Sequence, residues 1–181
     1  MARKNLTGWP LWSRLVVHLL AWIALAGGLQ VASSRDSMTI ARFEKKTRAM
    51  VNRAYAVVVE KSHDMNTVQR LFEKDPQLFD EKNKMYIFMH AYNAEKKEAI
   101  CVAQGKRPAL IGKNMWGLRT PTGRLIFQEQ IELIAEKDEF WLEYDWLNPF
   151  TNQICIKQSF FKKVVLADGR NAWVGCGYWK D

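Results

Sequence analysis

Residues 85–92 read Met-Tyr-Ile-Phe-Met-His-Ala-Tyr, a strand-like run of aromatic and aliphatic side chains with no charged face. Successive side chains of a strand point to opposite sides. Tyr86, Phe88 and His90 therefore share one face, and Met85, Ile87 and Met89 share the other. A sheet built on such a strand must be covered on both sides. The chain offers two covers. From Ser34 to about Lys61, Ile40, Phe43, Thr47, Met50, Val51, Ala54, Val57 and Val58 recur at spacings of three and four, which predicts a helix with one apolar stripe. That stripe suits the aliphatic face. The second cover is segment 104–137, where Gly105, Pro108, Gly112, Gly117, Pro121 and Gly123 punctuate a long loop before a helix over about 125–137. It is loose and glycine-rich, so a cavity is expected between it and the aromatic face.

The remaining elements fall into place around this pair. Asp64 or Asn66 caps a short second helix, and Asp75-Pro76 ends it, because a residue before proline avoids helical geometry. Residues 93–97 turn the first strand into a second, Glu98–Ala103. Phe140–Trp146 places Phe140, Leu142, Tyr144 and Trp146 on one face and Glu143 and Asp145 on the other. Strands over 154–166 and 172–179 follow, joined by a turn containing Asp168-Gly169. The expectation is an α+β domain: a five-stranded antiparallel sheet, a long N-terminal helix on one face, and a loop–helix cover on the other.

Residues 1–33 read differently. Arg3, Lys4 and Arg14 precede an apolar run, Leu15–Leu29, and the small residues Val31-Ala32-Ser33-Ser34 follow it. A basic start, an apolar stretch and small residues beyond it predict a signal peptide or an N-terminal membrane anchor. Domain 34–181 would then be periplasmic or secreted, held at the inner membrane if the leader is retained. Apolar residues at 48% and charged residues at 25% suit a globular core and exclude a disordered chain. The formal charge of +8 does not point to nucleic acid, because Lys and Arg are interspersed with Glu, as in Glu95-Lys96-Lys97-Glu98. Cys101, Cys155 and Cys176 are an odd number and cannot form a fully paired framework.

Several segments together resemble the single Cache domain, a PAS-like extracytoplasmic sensor module. They are Ala103-Gln-Gly-Lys-Arg-Pro-Ala-Leu-Ile-Gly-Lys-Asn114, Leu118, Pro121-Thr-Gly123, Trp141–Pro149, Lys157-Gln-Ser-Phe160 and Val174-Gly-Cys-Gly-Tyr178. The resemblance runs from about Ile40 to the end of the chain. It implies a standalone exported form that binds a small solute and signals through a membrane receptor or kinase. Two positions depart from the family pattern: His90-Ala91 replaces an aromatic-Asp pair, and Ser159-Phe160 replaces Ser-Tyr. The ligand's identity therefore does not transfer.

The candidate ligand-binding residues are Tyr86, Phe88 and His90 from the first strand, Met115 and Trp116 from the cover, Tyr144 and Trp146 from the third strand, and Lys157 and Ser159 from the fourth. Apolar walls with a few convergent polar groups are what a small-molecule site requires. A Lys ammonium beside Tyr and Trp suits a carboxylate, whereas an aromatic cage without it suits an amine. Phe160 and Phe161 leave the fourth strand's facing open. Gly112-Lys113-Asn114 reads first as a turn fixing the cover to the sheet. No metal-ligand spacing, nucleophile–base pairing or phosphate loop is present in the sequence, so neither an enzyme nor a resident cofactor is expected. The alternative function is a docking module that uses the same fold without a ligand.

Overall fold

The computed structural model describes residues 37–180. The predicted leader, 1–33, lies outside them. The chain divides into two units, residues 1–42 and 43–181. Of the first, residues 37–42 are helical and exposed. The second unit contains the remaining turns of that helix (α1, 37–61), α2 (Met65–Lys74), seven strands and α3 (Ile126–Glu136). Among the described residues no helix is long and apolar enough to cross a membrane.

Five strands form one antiparallel sheet: β3 (Phe88–Asn93), β4 (Glu98–Gln104), β5 (Glu139–Leu147), β6 (Ile154–Val165) and β7 (Asn171–Lys180). Their spatial order is β4-β3-β7-β6-β5. The last strand is thus inserted at the centre, paired with β3 on one side and β6 on the other. The first predicted strand is interrupted. Met85–Tyr86 (β2) pairs with Phe79–Asp80 (β1) in a small separate ribbon, and Ile87 donates its N–H to Leu78 before β3 begins. Facing nevertheless persists across the interruption, and across the irregularity between Met89 and His90.

The two sides of the sheet carry separate cores. On one, Met50, Val51, Ala54, Val57 and Val58 of α1 pack with Met85, Ile87, Met89, Phe160, Val174 and Cys176. On the other, Ile126, Phe127, Ile131 and Ile134 of α3 cluster with Tyr86, Phe88, Phe140, Tyr144, Phe161 and Trp173. β6 therefore turns Phe160 to α1 and Phe161 to α3, which resolves its facing. Asp64 caps α2 by accepting from the N–H groups of Asn66 and Thr67, both at 3.1 Å. All three cysteines are free thiols, and burial pushes those of Cys101 and Cys176 up to about 12.

The cover is fastened to both edges of the sheet. Gly112 adopts a left-handed φ of 81°, a conformation that costs other residues energy. From this turn its N–H reaches the Cys101 carbonyl at 2.8 Å. Asn114 Oδ1 accepts from the amides of Ala99 and Trp116, while its Nδ2 donates to Lys97 O. The Gly112–Asn114 step therefore does hold the cover to β4. At the other edge, the buried Asp145 carboxylate accepts from the Thr122 amide and hydroxyl at 2.8 and 2.6 Å. Those bonds hold its carboxyl below the usual range, against the opposing effect of burial.

Candidate functional site

Between cover and sheet lies a cavity of about 270 Å³. Tyr86, Phe88 and His90 line it from β2 and β3, Gln104 from the end of β4, and Tyr144, Trp146 and Leu147 from β5. Lys157 enters from β6. Arg107, Leu110, Met115 and Leu118 come from the loop, and Ile126, Phe127 and Gln130 from α3. Room for it depends on β7. Gly175 and Gly177 alternate with Val174, Cys176 and Tyr178 and share one face of the strand. A Cβ on Gly177 would stand 2.3 Å from Ser159 Oγ and 2.9 Å from Lys157 Cε, and one on Gly175 would stand 2.6 Å from the Phe88 ring. The two glycines let the side chains of β3 and β6 lean over the central strand.

Lys157 is the unusual group. It is 1% exposed, yet among the described residues its ammonium has no carboxylate partner. Its Nζ donates to the Tyr86 hydroxyl at 3.3 Å and lies 4.3, 4.8 and 5.0 Å from the ring centres of Tyr86, Phe88 and Trp179. Aromatic faces attract a cation but replace its hydration only in part. Desolvation accordingly brings the amine down to about 7. The half-buried Arg107 guanidinium lines the same cavity, and its charge favours the Tyr86 phenolate, although burial raises that phenol well above the usual range. The wall contains two cationic side chains and no Asp or Glu.

The other end is uncharged. His90 is 4% exposed, meets the Phe127 ring edge-on at 4.9 Å and stacks on Trp173 at 5.5 Å. Desolvation holds its imidazole down to about 3, so it is neutral at physiological pH. Gln130, also buried, projects from α3 into the same wall.

Seven of the nine residues named from the sequence share this wall: Tyr86, Phe88, His90, Met115, Tyr144, Trp146 and Lys157. Ser159 and Trp116 stand outside it. Ser159 is fully buried behind the wall, 3.1 Å from the Tyr144 hydroxyl. Trp116 accepts from Gln128 through its carbonyl and joins the cover to α3. Sequence reading missed Gln104, Arg107 and Gln130. Arg107 follows Lys106 in the loop, and nothing local says which of the two turns inward. Gln130 did carry a signal, since it interrupts the apolar stripe of Ile126, Phe127, Ile131 and Ile134. The glycines of β7 were legible too, as a pair on one face of a strand.

Comparison with known proteins agrees with this architecture. The crystal structure of a methyl-accepting chemotaxis protein from Vibrio parahaemolyticus RIMD 2210633 superposes with a TM-score of 0.62 at 16% identity, covering 84% of this chain and 97% of that one. A periplasmic sensor domain of a chemotaxis protein gives 0.55 at 21% identity, over 83% and 98% of the two chains. A Cache chemosensory domain described for carboxylic acid recognition gives 0.54 at 13% identity, over 84% and 97%. At these identities the likeness is one of fold. No curated protein shows significant sequence similarity to the chain. Residues 66–166 match the Cache domain family, and the chain belongs to that family of sensor modules.

Proposed function

We propose that this domain binds a small carboxylate in the cavity beneath its cover and reports the bound state to a signalling partner, a membrane receptor or kinase. The supporting observation is Lys157: a buried ammonium without a counterion among the described residues, in a wall that also holds Arg107 and has no acid. A carboxylate entering there supplies the missing charge and accepts hydrogen bonds from both cations, the stronger charge-assisted kind. An amine would meet two like charges, so the amine alternative loses its support. The Cache domain described for carboxylic acid recognition is a structural neighbour in keeping with this reading. The role is binding rather than turnover, at a periplasmic or secreted location set by the 1–33 leader.

The sheet offers a route for the signal. Cavity residues Tyr86 and Phe88 alternate with Met85, Ile87 and Met89, which pack against α1. A ligand that draws the cover down biases both layers through the same strands, provided it binds the two states unequally. Calorimetric titration of the full chain with short monocarboxylates tests the reading, with Lys157→Met as control. Saturable binding that the substitution weakens by a hundredfold or more is expected. Equal binding by both proteins, or by neither, refutes it. Amide hydrogen exchange in 43–61 that does not change on ligand addition would refute the transmission step alone.

A further inference from the structure

The cavity has a second polar feature that a simple carboxylate leaves unused. Gln130 Oε1 is a buried acceptor with no hydrogen-bond partner among the described residues, on a side chain only 3% exposed that lines the cavity. The Nδ1 of His90, another wall residue, is likewise buried without a partner. Orphaned buried polar atoms are rare in folded proteins, because each gives up its hydration without replacement. The Phe88 ring stands between the two ends of the wall, 4.8 Å from Lys157 Nζ and 6.0 Å from the His90 ring. The cavity is therefore polarised: cationic at Lys157 and Arg107, apolar in the middle, neutral and hydrogen-bonding at Gln130 and His90.

Resting on the carboxylate reading above, we infer that the ligand is a monocarboxylate carrying an uncharged hydrogen-bond donor, such as a hydroxyl or amide, at the end remote from its carboxylate. The donor satisfies Gln130 Oε1. An ammonium there would find no acid in the wall, and a second carboxylate would find no cation beside neutral His90. The site thus discriminates against amino acids and dicarboxylates by withholding counterions, and against plain alkanoates by leaving its acceptor bare.

Matched probes test this. Alkanoates of about four to eight carbons, a range chosen for a cavity of this size, are compared with their ω-hydroxy and ω-methoxy analogues by calorimetry on the full chain. The inference expects a hydroxy acid to bind at least tenfold more tightly than both its alkanoate and its methyl ether, which keeps the oxygen but has no proton to donate. It also expects that ratio to fall towards one in Gln130→Leu. Alkanoates or ethers binding as tightly as the hydroxy acids would overturn it, as would a preference unchanged by Gln130→Leu. Those results would leave the carboxylate reading intact, whereas a failure of every monocarboxylate to bind would remove both. Should Gln130→Leu not fold, the hydroxy-to-methoxy ratio in the unaltered protein decides the matter.

Discussion

The two faces of the sheet contrast chemically, although the same strands build both. Towards α1, β2, β3, β6 and β7 present Met85, Ile87, Met89, Phe160, Val174 and Cys176, closely packed and without a charged group among them. Towards the cover they present Tyr86, Phe88, Lys157, Gly175 and Gly177, and the space left open is a cavity. One face is filled by a regular helix whose stripe matches the pleat. The other is roofed by a loop tied down at its edges, at Asn114 and Thr122, which spans the middle without filling it. Close packing and open space are thereby assigned to opposite sides of one sheet. Burying the unpaired Lys157 costs free energy, and the packed side offsets it.

Four experiments break or sharpen that contrast. The largest effect is expected on the packed side. Ile87→Ala, at a fully buried position, should lose about 2–5 kcal/mol. Met115→Ala on the cavity wall should lose distinctly less, because its atoms already lack contacts on one side. Urea denaturation of both variants measures the gap, and equal losses would mean that the hollow is packed as tightly as the core.

Lys157→Met should move stability the other way. Replacing an uncompensated buried charge by an apolar side chain of similar volume is neutral to stabilising, by up to about 4 kcal/mol. The proposed carboxylate binding should weaken by a hundredfold or more in the same variant, which is therefore expected to be more stable and a poorer binder. A destabilised Lys157→Met would show that the amine is held by interactions other than the Tyr86 hydroxyl and the ring faces.

Gly177→Ala comes next, at about 1–3 kcal/mol of overpacking, since the added methyl collides with Ser159 Oγ and the Gln158 carbonyl. It should also weaken binding by displacing Lys157. Wild-type melting and affinity would show that β6 does not lean over the central strand as described.

Over any single unit of pH the effects are the smallest, about 1.4 kcal/mol at most. The folded-state pKa of Lys157 is depressed to about 7 from the ordinary 10.5, so the unfolded chain binds more protons across that interval. Stability attributable to this residue is fully present above the upper value and is lost as pH falls towards 7. His90 repeats the pattern lower down, its contribution being lost as pH falls from 6.5 towards about 3. The proposed carboxylate binding requires the charged amine. Affinity should therefore fall as pH rises above about 7, by up to roughly tenfold per unit, with proton uptake on binding. Calorimetry in buffers of different ionisation enthalpy reads that uptake, and its absence near pH 8 would mean that Lys157 is charged before the ligand arrives.

Most of the secondary structure was legible because its signals are local. The period of α1, the Asp64 cap, the Asp75-Pro76 stop and the glycine turns each act within a few residues. Alternation along 85–90 assigned Tyr86, Phe88 and His90 to one side and placed the aliphatic set beneath α1. The interruption at Ile87 was not legible, because it depends on Leu78 offering a carbonyl from a ribbon that forms only in the folded chain. Trp116 was assigned inward with Met115, but a turn begins there, closed by the Leu118 N–H on the Met115 carbonyl, and of the two only Met115 lines the cavity.

By itself, then, the sequence determined most of the elements, their order, the two-sided burial of the sheet and the looseness of one cover, since period and turn chemistry are written over short spans. Only the tertiary structure decided that β7 inserts between β3 and β6, with its glycines beneath Lys157, and that Arg107 and Gln130 reach the same hollow. Those facts depend on pairings between segments far apart in the chain. The free energy of each pairing is a property of both partners and their register, and no local pattern carries it.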